Sequence, residues 1–116
     1  MRALITGING FVGSHLAEHL LAETDWQLWG VAREATLAVP ALRERVTARS
    51  ADLMDPAAVQ ALIDDVQPDI IFHLAAQAHP HTSFRDPAGT LTTNILMQLH
   101  LFEAVRAAQL DPTMLI

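Results

Sequence analysis

The chain has 116 residues, with seven arginine-plus-lysine and thirteen acidic side chains, for a formal net charge of −6. That length suits one domain; a makeup 51% apolar and 17% charged is globular rather than disordered; and the acidic balance argues against nucleic acid or an anionic membrane as the main partner. There is no cysteine, tyrosine or lysine, which excludes disulfides, thiolate metal sites and any mechanism that needs a phenol or a primary amine from these residues alone.

Arg2 to Thr6 (RALIT) is a short apolar run closed by Gly7 and predicts a buried strand. Phe11 to Glu23 predicts a helix, with Val12, Leu16, Ala17, Leu20 and Leu21 on its apolar face and Ser14, His15 and Glu18 opposite. Trp26 to Ala32 is a second strand and Val46 to Ala51 a third. Asp55-Pro56 opens a helix to about Val66, because aspartate caps free amides and proline suits the first helical position. Asp69 to Leu74 is another buried strand, followed by a loop from Ala75 to Arg85. Asp86-Pro87 repeats the helix start, and that helix runs to about Gln109. Thr113 to Ile116 reads as the beginning of a further strand. Strands alternating with helices predict an α/β fold, a Rossmann-like doubly wound parallel sheet present as its N-terminal half with the start of a fifth strand. No apolar run approaches the ~18–20 residues of a membrane span, and no charged leader precedes the first strand. The expectation is a soluble, cytoplasmic protein.

Between the first strand and the first helix, Gly7, Gly10 and Gly13 fall three apart. In that setting the first glycine permits a sharp turn, the second a close approach of backbone to a pyrophosphate, and the third close packing of helix on sheet. The free amides at the helix start then face the anion. Asn9 is expected to tolerate a positive φ and help close the turn. The alternative is a glycine-rich turn that only permits packing; the strand before and the helix after favour nucleotide binding. Cofactor choice is expected at the end of the second strand, about 20 residues further on. The chain reads Gly30-Val31-Ala32-Arg33 there, with no carboxylate until Glu34. Arg33 suits a ribose 2′-phosphate, so NADP is preferred and NAD is the alternative. The competing reading is a solvated loop arginine.

The run TGINGFVG, then Ala51-Asp52-Leu53, then HLAAQ from His73 to Gln77, then a helix carrying Asn94 and FEAVR, resembles the extended short-chain dehydrogenase/reductase family. Within it the chain is similar to the nucleotide-sugar epimerase/dehydratase branch, most of all to the GDP-mannose 4,6-dehydratases and GDP-4-keto-6-deoxymannose reductases. The resemblance implies a cofactor site in which Gly7, Gly10 and Gly13 hold the pyrophosphate, with Asn9, Phe11 and Val12 among its residues. It places Asp52 and Leu53 by the adenine, and Leu74, Ala75, Ala76 and Gln77 along the nicotinamide half. Gln77, His79 and Ser83 would lie on the substrate side, toward a nucleotide sugar such as GDP-mannose. It further implies a homodimer built partly on the helix from Asp86. The family often has Gly-Thr where Met97 and Gln98 stand, so packing there must differ. Its catalytic Tyr-x-x-x-Lys has no counterpart among these residues, so no catalytic residue is assigned. The chain is expected to be the N-terminal cofactor-binding part of a longer enzyme, without the substrate domain and inactive alone. That enzyme would be a 4,6-dehydratase, or a 4-keto-sugar reductase or 4-epimerase of the same family. A reading from another class is a non-catalytic NAD(P)-binding sensor.

Other constellations carry less. His15 and His19 are four apart, as zinc pairs can be, but lack further ligands and read as solvated. His79-Pro80-His81 lacks a third ligand, and no metal is expected. Ser83 with a histidine and Asp86 lacks the strand–nucleophile–helix context of a hydrolase triad. His73 is expected to be packed or hydrogen-bonded at a strand end. Asp64 and Asp65 are expected to be solvated, and Trp26 and Trp29 to pack. The stripe Leu91, Ile95, Leu99, Phe102 reads as core, widened by Leu96, Leu101 and Val105 so that the helix is expected to bury two faces, as an oligomer contact would need.

Overall fold

A computed structural model describes residues 1–76 and 80–116. Strands β1 (Arg2–Thr6), β2 (Gln27–Ala32), β3 (Val46–Ser50), β4 (Ile70–His73) and β5 (Thr113–Leu115) form one parallel sheet in the order β3-β2-β1-β4-β5. Helices α1 (Phe11–Glu23), α2 (Pro56–Val66), α3 (Pro80–Arg85) and α4 (Pro87–Ala107) connect them, with a 3-10 turn at Pro40–Leu42 between β2 and β3. From β1 the chain winds outward to β2 and β3, then crosses back to place β4 on the other side of β1. The strand order therefore reverses between β1 and β4, whose C-terminal ends flank the crevice where such sheets bind ligands.

The sheet's alternation fixes its two faces. Leu4, Val31 and Ile71 face α2 and α4, where they meet Val59, Leu62, Ile63, Val66, Met97, Leu101, Ala104 and Val105. Ala3, Ile5, Leu28 and Phe72 face α1, joined by Ala17, Leu20, Ile8 and the β2–β3 connection through Leu37 and Leu42. Trp29 packs on the first cluster and Trp26 on the second. This is the doubly wound layout that the sequence predicts.

Four details differ from expectation. The segment after β4 is not loop throughout: Pro80 opens α3, and proline is suited to a first helical turn because its missing amide would go unused there. In α1 the buried residues are Gly13, Ser14, Ala17 and Leu20, while Val12 is exposed. Ser14 is accommodated inside because its hydroxyl donates to the carbonyls of Gly10 (2.9 Å) and Phe11 (3.2 Å). In α4 the core stripe is Met97, Leu101, Ala104 and Val105, and Leu91, Ile95, Leu99 and Phe102 lie exposed. Asp65 is paired with Arg49 at 2.7 Å across β3 and α2, and Asp64 accepts from Gln60. Both ends of the Arg49–Asp65 pair are wetted, so it contributes little stability.

Candidate functional site

The crevice at the switch point is built from the turn after β1 and the chain leaving β4. Gly7 has φ +71°, and a Cβ there would lie 2.9 Å from the Ala75 nitrogen and the Leu74 carbonyl carbon. Only glycine suits a left-handed residue pressed that closely on a neighbouring backbone. Gly13 is equally constrained, since a Cβ there would run into the Gly7 carbonyl oxygen. The turn is closed by the Gly10 amide donating to Gly7 O at 3.0 Å. Asn9 does not take the positive φ expected of it; in this turn Gly7 alone does. Its carboxamide reaches the loop after β2 instead, donating to Thr36 O (3.2 Å) and accepting from Ala38 N (2.8 Å).

Gly10 is the N-cap of α1, and no side chain caps that helix; its first turn has no acidic residue. A Cβ at Gly10 would meet nothing closer than Gly7 O at 3.2 Å. The start of α1 therefore presents uncapped amides and a partial positive charge to open space. Phe11 and Val12 flank it, exposed, with the Phe11 ring tilted against His15 at a centroid distance of 4.3 Å. His15 is held there by a 2.7 Å hydrogen bond from Nδ1 to the Phe11 carbonyl.

The ends of β1 and β4 are stitched by one hydroxyl. Thr6, fully buried, accepts through Oγ1 from the amides of Leu74 and Ala75, each at 3.0 Å, and lies 2.7 Å from His73 Nδ1. A hydroxyl has two acceptor sites and one proton. With both acceptor sites taken, its proton goes to His73 Nδ1, which fixes the imidazole as the Nε2–H tautomer. Burial also pushes the His73 pKa below its ordinary value. The neutral ring thus anchors the backbone against which Gly7 is pressed.

A cleft of about 330 Å³ opens between these parts, lined by Gly7, Arg33, Ala75, Ala76, Thr93 and Met97. Arg33 is exposed on its rim, and among the described residues its guanidinium makes no ion pair. The Arg33 carbonyl accepts from Ser50 Oγ at 2.5 Å. Leu74 is half-buried and Ala76 exposed. Further along the sheet edge, Asp52 is exposed; one carboxylate oxygen accepts from Met54 N at 2.9 Å, and no hydrogen bond to the other is seen among the described residues. The Leu53 side chain is buried in the core, and its carbonyl accepts from His100 Nδ1 at 2.7 Å. Ser83 lies on α3. Gln77 and His79 lie outside the described residues. Among the described residues no cluster of histidines and carboxylates fit to hold a metal occurs, and no helix is long and apolar enough to cross a membrane.

Sequence reasoning missed Gly30, Thr6 and His100. Gly30 in β2 leaves room for Ile8, whose side chain a Cβ there would strike at 2.6 Å. Thr6 is legible only as a strand-end residue and His100 gives no signal at all, whereas His73 is packed and hydrogen-bonded at its strand end as expected. A glycine inside a strand run is the one cue that was available, since it marks a close approach.

A parallel sheet whose switch point carries a glycine-lined turn and an uncapped helix start is the layout of the Rossmann-like α/β folds, in which that crevice is where dinucleotides bind. The chain matches the NAD dependent epimerase/dehydratase family over residues 3–115 and belongs to it. It is 36% identical over 115 residues to the GDP-6-deoxy-D-mannose reductase of Pseudomonas aeruginosa, covering 98% of this chain and 32% of the relative. To a GDP-mannose 4,6-dehydratase of Vibrio cholerae it is 33% identical, covering 97% of this chain and 33% of the relative. The Thermus thermophilus UDP-glucose 4-epimerase in complex with NAD superposes with a TM-score of 0.81 at 33% identity, covering 96% of this chain and 35% of that one. The chain thus spans about a third of the length of the curated relatives it matches.

Proposed function

We propose that residues 1–116 form the N-terminal cofactor-binding domain of a nucleotide-sugar 4,6-dehydratase of the GDP-mannose type, using NADP in preference to NAD. The observation that carries this reading is the uncapped start of α1, bedded on Gly7 and Gly13 at the switch point, with Arg33 on the rim of the same cleft. Gly7, Gly10 and Gly13, with the amides of Phe11 and Val12, would hold the pyrophosphate. Arg33 would meet the ribose 2′-phosphate. The Asp52 oxygen that Met54 leaves free would accept from the adenine amine, with Leu53 beside it. Leu74, Ala75, Ala76 and Gln77 would run along the nicotinamide half, and Gln77, His79 and Ser83 toward the sugar. Bound there, the nicotinamide would supply the redox equivalent for a sugar hydroxyl. The acid–base groups are not among these residues, since they include neither tyrosine nor lysine. The names of the Vibrio and Pseudomonas relatives support a GDP-sugar as substrate. The Pseudomonas match also favours a second reading, a reductase of a 4-keto GDP-sugar; a 4-epimerase is the remaining alternative. A homodimer across α4 belongs to the same reading, since Leu91, Ile95, Leu99 and Phe102 leave an apolar stripe in solvent. The protein is expected to stay in the cytoplasm.

Calorimetric titration tests the core of this reading. NADP⁺ should bind about tenfold more tightly than NAD⁺, the margin of one charge-assisted contact, and Arg33→Ala should erase the margin. Equal dissociation constants in the unaltered chain would sink the NADP preference. The 116-residue chain should release no 4-keto sugar from GDP-mannose; detectable turnover would overturn its assignment as a cofactor-binding portion.

A further inference from the structure

The loop that carries Arg33 is not free-standing. At its start the Arg33 carbonyl is tied to Ser50 on β3. Its middle is anchored by Leu37, which is 3% exposed among the residues facing α1 and whose carbonyl accepts from Arg43 Nε at 2.9 Å. Around Leu37 sits a two-point clamp that comes from elsewhere in the chain: Asn9 Nδ2 donates to Thr36 O at 3.2 Å and Ala38 N donates to Asn9 Oδ1 at 2.8 Å. Asn9 lies in the glycine turn, between Gly7 and Gly10, so the clamp joins the turn to the loop directly. Both polar groups of the carboxamide are used on the loop, and among the described residues neither bonds within the turn itself.

We propose that Asn9 is a specificity-positioning residue, which acts by holding the Arg33 loop at a fixed offset from the phosphate turn so that one dinucleotide can meet both. The inference rests on Arg33 recognising the 2′-phosphate. Asn9 then acts on the selectivity of the site rather than on its overall affinity. A cofactor without the 2′-phosphate uses the turn and not the guanidinium, so it is insensitive to where the loop lies. A cofactor with the phosphate needs Arg33 in register with the turn, because a charge-assisted contact decays steeply with misplacement.

The experiment is a double-mutant cycle on Asn9→Ala and Arg33→Ala, read as dissociation constants for NADP⁺ and NAD⁺. Asn9→Ala should weaken NADP⁺ by roughly 3- to 10-fold, the range of one or two lost hydrogen bonds, with NAD⁺ changed by less than about twofold on the same basis. In the Arg33→Ala background the Asn9 effect should vanish. Ala38→Pro, which deletes the amide donor on the loop side and leaves the turn untouched, should reproduce the selective loss. Unchanged NAD⁺ affinity shows in each variant that the turn is intact. If Asn9→Ala weakens both cofactors alike, or weakens NADP⁺ equally with and without Arg33, the positioning role is wrong although Arg33 recognition stands. If Arg33→Ala itself leaves NADP⁺ affinity unchanged, the 2′-phosphate reading has failed and this inference falls with it.

Discussion

Helices α2 and α4 begin alike, and α1 begins differently. Each of the first two opens on an Asp-Pro pair whose carboxylate accepts a backbone amide at 3.0 Å, Asp55 from Ala57 and Asp86 from Gly89. Helix α1 opens on Gly10 with no side chain over its amides. Helices α1 and α2 follow β1 and β3 directly and α4 follows β4 by way of α3, so all three come after strand ends at the C-terminal edge of the same parallel sheet. Every helix start leaves orphan amides and a partial positive charge. Where structure alone is at stake, a carboxylate satisfies them permanently. At α1 that place is kept open beside the switch point, and an anion from outside can take it.

The contrast can be broken most severely at Gly13. Gly13→Val drives a branched side chain into the Gly7 carbonyl, a backbone atom that cannot step aside. It should cost about 3 kcal/mol of stability and abolish cofactor binding, measured by denaturant unfolding and by titration. A variant of normal stability would show that the turn is looser than described.

Gly10→Asp should convert α1 into a helix of the other kind. A Cβ is tolerated there with a small yield of Gly7 O, and the new carboxylate can cap the first amides. Cofactor affinity should fall about 100-fold, near 2.7 kcal/mol, while stability holds or rises by a few tenths of a kcal/mol. Retained affinity would mean that the start of α1 is not where phosphate binds.

The reciprocal change, Asp55→Ala, should cost about 1 kcal/mol of stability and leave NADP⁺ and NAD⁺ affinities unaltered. A loss of affinity would tie α2's cap to the site and blur the distinction between the two kinds of helix start.

The smallest effect near neutral pH belongs to His73. Burial holds its native pKa below 6.5, so above that pH both folded and unfolded states carry it neutral. As pH falls below 6.5, the unfolded chain takes up a proton that the native ring refuses. Stability should then drop by at most about 1.4 kcal/mol per pH unit, levelling off below the native pKa. His73→Asn keeps an acceptor for the Thr6 hydroxyl and should remove that part of the slope. Identical pH profiles for the two proteins would show that His73 does not stay neutral in the fold.

Much of this was legible in the chain itself. The limits of β1 and α1, the Asp-Pro helix starts, the parallel α/β order and the glycine turn all rest on local chemistry: apolar runs, capping side chains, proline's fixed φ and glycine's missing Cβ. In α4 the same reasoning chose the wrong stripe. Leu91, Ile95, Leu99 and Phe102 share one face, and Met97, Leu101 and Val105 another, so periodicity cannot say which meets the sheet. Asn9 illustrates a subtler limit. Its residue type suits a turn, yet its carboxamide is spent on a loop more than 25 residues away.

What the sequence by itself determined is where this chain turns, caps and alternates, because those choices are settled within a few residues by sterics and short hydrogen bonds. Tertiary structure alone decided which helix face is core, that Ile8 fills the space above Gly30, that Thr6 and His73 lock β1 to β4, and that Arg33 reaches the rim of the Gly7 cleft. Each of those joins residues 20 or more apart in the chain, and only the closed sheet, with its strand order fixed, brings them within contact.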